Sequence, residues 1–131
     1  MLPNDGRVVS NLIVQSLKNE DLTIYGEGSQ TRSFCYVEDL IEGLIKLMDS
    51  NYSRPLNLGN PEEYSILELA NIIKNKLNKN LNIIYKPLPQ DDPLQRKPCI
   101  KKAKEFLDWS PSIGLNDGLD RTIRYFKESI I

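Results

Sequence analysis

Leu22-Thr23-Ile24-Tyr25-Gly26-Glu27-Gly28-Ser29-Gln30-Thr31-Arg32-Ser33-Phe34-Cys35-Tyr36-Val37-Glu38-Asp39 is the stretch that decides how this chain is organised. Residues 22–25 predict a short strand that runs into a glycine-rich loop, where Gly28 suits a backbone angle that other residues adopt reluctantly. Phe34, Tyr36 and their neighbours predict a second extended piece. A helix is then predicted over residues 39–48, because apolar side chains recur there at one-turn spacing.

Similar patterns extend to both ends of the chain. The predicted elements are helices near 7–18, 66–77, 100–107 and 116–130, strands at 56–60 and 81–85, and an ordered proline-rich loop over 87–98. The helix at residue 66 has the clearest start, because Ser65 and Glu68 match a capping box. Tyr64 and Leu69 occupy the two positions of a hydrophobic staple. The alternation of strands and helices predicts a mixed α/β fold, and the length suits one domain.

Composition excludes several classes of function. The 131 residues carry 17 basic and 18 acidic side chains and a formal charge of -1, so neither nucleic acid nor an anionic membrane is an expected partner. Without histidine there can be no imidazole base. Cys35 and Cys99 lie far apart with no C-x-x-C spacing, which argues against zinc and indicates a reducing compartment.

Neither a membrane span nor a secretion signal is predicted. The longest apolar stretches are interrupted by charges and fall short of the roughly 20 residues that a bilayer crossing requires. The first residues lack the charged and apolar regions of a signal peptide. We therefore expect a soluble, cytoplasmic protein with no bound metal.

Arg32 has two interpretations. It follows the glycine-rich loop, where a guanidinium and backbone amides could meet phosphate oxygens; at about 4 Å such a charge pair is worth roughly 4 kcal/mol at an effective dielectric of about 20. On charge alone, the commoner outcome is a weak surface ion pair with Glu38 or Asp39. Gln30 and the loop glycines narrow the preference for the surface ion pair without reversing it.

Arg96 is equally open. A salt-bridge cluster with Asp91 and Asp92 would stiffen its loop, whereas prolines could instead hold the guanidinium over a substrate carboxylate or phosphate. Tyr25 could stack on a base or a sugar, although an aromatic residue at a strand end is more often part of the core. Asn11 could bond an amide-like edge or simply satisfy backbone groups.

The order and spacing of several motifs resemble the C-terminal portion of UDP-glucuronate decarboxylases. These enzymes are extended short-chain dehydrogenases/reductases of the NAD-dependent epimerase/dehydratase family, related to nucleotide-sugar 4,6-dehydratases and 4-epimerases. The resemblance covers essentially the whole chain. The motifs are the residues 4–11, 22–26, 28–32, 36–39 and 57–62, and the segment from Asp91-Asp92-Pro93 to Arg96-Lys97-Pro98.

The resemblance implies a site for a UDP-sugar. Arg32 matches the arginine that holds the diphosphate, and the segment from Leu22 to Tyr25 matches the residues along the uridine. Val9 and Asn11 correspond to residues that approach the nucleotide, and Gln30 belongs to the same substrate-binding set. Arg96 corresponds to an arginine near the sugar carboxylate, which makes it the candidate catalytic proton donor and a substrate-binding residue.

The chain also departs from the family pattern. The glycine fingerprint for NAD and the catalytic Tyr-x-x-x-Lys do not occur in this sequence, and Cys99 stands where an aspartate is common. We therefore expect an incomplete fragment of an extended short-chain dehydrogenase, mostly the C-terminal substrate-binding part plus elements that normally complete the Rossmann domain. Residues 1–131 would form one nucleotide-sugar-binding unit, with the N-terminal NAD-binding domain absent.

That expectation has consequences for activity and assembly. The chain alone would bind no NAD and would be inactive as a lyase, and its uncovered apolar faces predict a homo-oligomer or a complex with a separate cofactor-domain half. Two alternatives remain open from the sequence. One is a non-enzymatic interaction or UDP-sugar-sensing module; the other is a fragment of a 4,6-dehydratase or 4-epimerase.

Overall fold

The computed structural model describes residues 7–87, 95–96 and 98–130. Five helices and five strands alternate within these ranges, which confirms the predicted α/β class. In chain order they are α1 (Val8–Leu17), β1 (Leu22–Tyr25), β2 (Thr31–Ser33), α2 (Val37–Met48), β3 (Glu63–Ser65), α3 (Ile66–Leu77), β4 (Ile83–Lys86), β5 (Gln95–Arg96), α4 (Lys101–Leu107) and α5 (Leu115–Ile130).

The main core surrounds a parallel pair of strands, β1 and β4, in which Leu22 pairs with Ile83. Helices α1 and α3 pack on β1, and α5 packs on α1. The side chains that are at most 1% exposed in this core include Leu12, Ile13, Leu22, Ile24, Leu69, Ile73 and Phe126. Each such burial contributes about 1.5–3 kcal/mol to folding.

A second, smaller sheet has the order β3-β2-β5. Strand β2 is central; it pairs antiparallel with β3 and parallel with β5. The predicted extended piece at Phe34 and Tyr36 is therefore displaced, because the strand occupies residues 31–33. The reason is that the pairing with β5 ends at Arg32 and the pairing with β3 ends at Ser33, after which Tyr36 becomes the N-cap of α2.

The start of α3 is formed by the predicted capping box. The Glu68 amide donates to Ser65 Oγ (3.0 Å), and the Ser65 amide donates to the Glu68 carboxylate (3.1 Å). The helix ends at Leu77, as its apolar spacing predicts. Because both bonds join residues three apart, this boundary is specified locally and could be found from the sequence.

The predicted strand at 56–60 is wrong. These residues have no strand partner among the described ranges, and without one the backbone takes an irregular path. Leu56 and Leu58 are half-buried and pack against a second apolar cluster formed by Ile100, Ala103, Leu107 and Trp109. The short apolar run is thus explained by side-chain packing rather than by sheet formation.

Helix α2 has one covered face and one open face. Gly43 is buried, and a Cβ atom there would lie 3.0 Å from Leu58 and 3.1 Å from Trp109. The opposite side carries an apolar stripe formed by Val37, Leu40, Ile41, Leu44, Ile45 and Met48, which are 36% to 81% exposed. The helix therefore presents to solvent the type of face that helices normally bury.

Residues 88–94 and 97 of the predicted proline-rich loop lie outside the described residues, and residues 95–96 of that segment form β5. The described residues contain no group of three or more His, Cys, Asp and Glu side chains able to hold a metal ion. Among the described helices, none combines the length and the apolar character that a bilayer crossing requires.

Candidate functional site

The small sheet brings together the backbones of the two arginines singled out in the sequence. In the parallel pairing of β2 with β5, Thr31 is the register partner of Gln95, and Arg32 is the partner of Arg96. Neighbouring strands lie about 4.8 Å apart, so the two arginine positions are immediate neighbours. The Arg96 side chain, Asp91 and Asp92 lie outside the described residues, and so does the predicted salt-bridge cluster.

Arg32 is half-buried, and its Nη1 donates to the carbonyl of Thr31 (2.7 Å). The two carboxylates proposed as its surface partners are engaged with other elements. Glu38 pairs with Arg121 on α5 (3.0 Å), and Asp39 is bonded to the segment before α5. These contacts weaken the interpretation of Arg32 as the partner of either carboxylate.

The loop between β1 and β2 is held at several points. Gly26 and Gly28 have φ angles of 76° and 78°, in the left-handed region that the sequence anticipated for Gly28. The Gly26 amide donates to the Lys86 carbonyl on β4 (2.7 Å). Across the loop, Gln30 Nε2 donates to the carbonyl of Tyr25 (2.8 Å).

Two carbonyls of the same loop accept hydrogen bonds from amides in the first turn of α3. The Leu67 amide donates to the Gly28 carbonyl (3.1 Å), and the Ile66 amide donates to the Gln30 carbonyl (3.0 Å). With Glu68 bonded to Ser65, three amides of that turn have protein partners. The loop and the helix start therefore form one rigid support immediately before Arg32.

The predicted nucleotide-side residues occupy different environments. Leu22 is fully buried and Val9 is 9% exposed, so both are core residues. Asn11 is half-buried on α1. Tyr25 is 44% exposed, which contradicts its interpretation as a core aromatic and leaves its ring accessible at the end of β1.

A mainly apolar cleft of about 310 Å³ lies between α1, the segment after β2 and the start of α5. Val9, Cys35 and Tyr36 contribute to its walls, together with Ile113 and Leu119. Burial, followed by the charge of Asp39, raises the pKa of the Cys35 thiol above its usual value of 9.0. The shift favours the protonated form of the thiol.

Asp39 is a structural residue that the sequence did not reveal. It is 2% exposed, and its Oδ1 accepts from the Ser112 amide (3.2 Å) and hydroxyl (3.0 Å), while Oδ2 accepts from the Ile113 amide (2.9 Å). The Asp39 carbonyl also accepts from Trp109 Nε1 (3.0 Å). Because these partners are distant in sequence, no local pattern could identify them.

The glycine-rich turn between β1 and β2 does not fit the pyrophosphate of the dinucleotide that the resemblance implies. A dinucleotide site needs a glycine-rich turn that opens directly into a helix whose amides face the pyrophosphate. Here the turn at Gly26 and Gly28 opens into β2, and the α3 amides that it meets are bonded to protein carbonyls.

Comparisons with known proteins identify relatives along nearly the whole chain. Residues 2–59 match the NAD dependent epimerase/dehydratase family. UDP-glucuronic acid decarboxylase 1 of Danio rerio is 54% identical over 127 residues, covering 97% of this chain and 30% of that protein. UDP-glucuronic acid decarboxylase 2 of Arabidopsis thaliana is 48% identical over 130 residues, covering 99% of this chain and 29% of the relative.

A solved structure agrees with these matches. UDP-glucuronic acid 4-epimerase from Bacillus cereus, in complex with UDP-glucuronic acid and NAD, superposes with a TM-score of 0.89 at 30% identity, covering 97% of this chain and 41% of that chain. The chain thus spans about 30% of the length of the curated relatives it matches. Residues 2–59 therefore carry the domain of the NAD dependent epimerase/dehydratase family, and nearly the whole chain is similar to UDP-glucuronic acid decarboxylases.

Proposed function

We propose that the chain supplies the substrate-side, UDP-sugar-binding part of a UDP-glucuronate decarboxylase-like enzyme. The observation that carries the proposal is the pairing of β2 with β5, in which Arg32 and Arg96 are register partners. An anionic sugar nucleotide has a diphosphate and a carboxylate, and two adjacent arginine positions suit two anionic groups on one ligand. Identity of 54% to a UDP-glucuronic acid decarboxylase supports this choice of parent enzyme.

In this proposal each residue has one role. Arg32 binds the diphosphate, supported by its half-buried position beside a rigid loop. The segment Leu22–Tyr25 lies along the uridine through its exposed end, with the accessible ring of Tyr25 against the base or ribose, while the buried Leu22 supports the strand from the core. Val9 and Asn11 line the nucleotide side, and Arg96 approaches the sugar carboxylate and returns a proton after carbon dioxide leaves.

The chain alone is proposed to be catalytically incomplete. Loss of carbon dioxide from the sugar requires prior oxidation to a ketone that can accept the electron pair, and NAD supplies that oxidation when it is bound. The sequence contains neither the glycine fingerprint nor the Tyr-x-x-x-Lys of the family. We infer that a cofactor domain outside these 131 residues holds NAD.

The apolar stripe of α2, as defined above, supports the proposal of a partner. Six apolar side chains in one row exceed what scattered surface residues provide, and such patches commonly mark interaction sites. We propose that either a separate cofactor-domain half or a second copy of the chain covers this stripe.

Calorimetric titration with UDP tests the binding proposal. Wild-type chain should bind UDP, and Arg32→Ala should weaken binding by about 10- to 100-fold, or about 1.4–2.7 kcal/mol. Arg124→Ala on α5 is the matched control, since it removes the same charge from an exposed position and should leave affinity unchanged. Absence of UDP binding by the wild-type chain would refute the proposal and favour a non-enzymatic interaction module.

A 4-epimerase is the second candidate, favoured by the structural similarity to the Bacillus cereus enzyme. Adding a separately produced cofactor domain of a decarboxylase, with NAD and UDP-glucuronate, distinguishes the two. Release of carbon dioxide identifies the decarboxylase. Formation of the C4 epimer without gas release identifies the epimerase. If the two parts form a complex and neither product appears, the reconstituted pair is inactive.

A further inference from the structure

The side chain of Gln30 does not extend into an open site. It is 6% exposed, and its Nε2 donates to the Tyr25 carbonyl across the loop (2.8 Å). The amides of Ile66 and Leu67 bind the loop from α3, whereas the bond from Gln30 to Tyr25 joins the two ends of the loop to each other. A group that is committed in this way is better suited to fixing the backbone than to contacting a ligand.

The backbone of Gln30 is fixed as firmly as its side chain. Its carbonyl accepts from the Ile66 amide (3.0 Å) at the start of α3, and Gly28 accepts from Leu67 (3.1 Å) in the same turn. One residue later β2 begins, with Thr31 paired to Ser65. Gln30 therefore joins the end of β1, the start of α3 and the start of β2 at one point.

Arg32 lies two residues beyond that point. Its guanidinium donates to the Thr31 carbonyl, so the side chain bends back along the backbone that Gln30 anchors. A shift of the loop would therefore move the guanidinium together with the strand. Binding of a diphosphate by a forked guanidinium depends on orientation, so such a shift would lower affinity without touching the ligand.

We propose that Gln30 is a positioning residue, which holds Arg32 in the orientation that binds a diphosphate by closing the loop onto the Tyr25 carbonyl. This inference rests on the proposed function, because it assumes that Arg32 binds the diphosphate of UDP. It revises the expectation that Gln30 contacts the substrate directly.

Gln30→Met tests the inference, because methionine has a similar length and no donor. UDP affinity should fall at least fivefold, whereas affinity for uridine, which has no phosphate, should stay within twofold of wild type. In an Arg32→Ala background, Gln30→Met should change UDP affinity by less than twofold, because the group through which it acts is missing.

Gln15→Met is the matched control. Gln15 also bridges two elements, donating to Thr23 Oγ1 (3.1 Å) and accepting from the Thr23 amide (3.0 Å), but it has no bond to the Arg32 loop. Its loss should lower the melting temperature as much as Gln30→Met does. Because Thr23 lies in the segment proposed to contact the uridine, any loss of affinity in Gln15→Met should be the same for uridine and for UDP.

Hydrogen exchange adds a readout that needs no ligand. In Gln30→Met the amides of Ile66 and Leu67 should exchange at least tenfold faster, because their acceptors lie on the loosened loop. Unchanged exchange would overturn the inference.

The binding outcomes separate this inference from the proposed function. If the wild-type chain binds no UDP, both fail. If it binds UDP and Gln30→Met binds equally well, or loses uridine and UDP affinity alike, the positioning role fails while the proposed function stands. A loss of UDP affinity in Gln15→Met that exceeds its loss of uridine affinity at least fivefold would also overturn it, because the phosphate-specific effect would then reflect general destabilisation.

Discussion

Replacing Asp39 with alanine should strongly destabilise the chain, because its carboxylate ties α2 to the segment before α5. The variant loses three hydrogen bonds to a side chain that is 2% exposed. Bonds of this kind contribute about 1.5–3 kcal/mol each, but water can reach the partly buried donors of Ser112 and Ile113 once the carboxylate is removed. We therefore expect a loss of about 3–4 kcal/mol in the free energy of unfolding, rather than the full sum.

Asp39→Asn provides a graded test. The carbonyl oxygen of asparagine can keep both bonds to Ser112. Its NH2 group, however, faces the Ile113 amide, and two donors cannot bond to each other, so the third hydrogen bond is lost. We expect a loss of about 1.5–2.5 kcal/mol, which keeps the measurement possible if the alanine variant does not fold. Asp49→Asn, at the exposed opposite end of α2, is the matched control and should stay within about 0.5 kcal/mol of wild type.

Urea unfolding followed by tryptophan fluorescence is the suitable assay. Trp109 is the sole tryptophan of the chain, and it donates to the Asp39 carbonyl, so its emission reports this junction directly. Circular dichroism should give the same midpoint if unfolding is two-state. A loss below 1 kcal/mol for Asp39→Ala would refute the view that this carboxylate joins the two elements.

Three further changes have defined outcomes. Gly28→Ala should lower the free energy of unfolding, measured with urea, by about 1–2 kcal/mol, because φ is +78° and a Cβ would lie 3.1 Å from the Leu67 side chain. Gly114→Ala is the control and should lower it less, because a Cβ there would have no neighbour within 4 Å. Ile41→Glu should abolish self-association or partner binding in sedimentation experiments. Cys35 should react with a disulfide reagent more slowly than exposed Cys99 and need a higher pH to do so.

The tests of Ile41 and of Cys35 each have a control or a contradicting outcome. Asn71→Glu adds the same charge as Ile41→Glu at an exposed position of α3 and should leave sedimentation unchanged. The raised pKa of Cys35 means that the unfolded chain loses this proton first, so the thiol's contribution to stability is complete below pH 9.0 and falls as the pH rises through the folded pKa. A faster reaction at Cys35 than at Cys99 would contradict the burial argument.

The features predictable from the sequence are those fixed by neighbouring residues. Ser65 and Glu68 lie three residues apart and cap the same helix, so the pattern alone gives the start of α3. Gly28 is similar, because a positive φ in a tight loop selects glycine locally. The stripe of α2 was also visible as spacing, although spacing does not tell which face is covered.

The features that could not be predicted depend on distant partners. The run at 56–60 has the composition of a strand, but a strand needs a partner, and partners are not encoded within the run. Asp39 looked like a surface acid because Ser112 and Ile113 are far away in sequence. The family resemblance suggested that Arg32 and Arg96 belong to one site. That their backbones pair in one sheet could be seen only in the structure, because the two residues are far apart in sequence.

The central place of β2 has a consequence for the order in which the chain folds. Its two neighbours come from residues 63–65 and 95–96, so the second pairing must close a long loop, at an entropic cost of about 4 kcal/mol. During synthesis, the arginine pair can assemble only after residue 96 has left the ribosome. A nucleotide that requires both arginines would thus bind only to chains in which β5 has paired with β2. The fraction of chains that bind the nucleotide would therefore measure the fraction that has completed this late step.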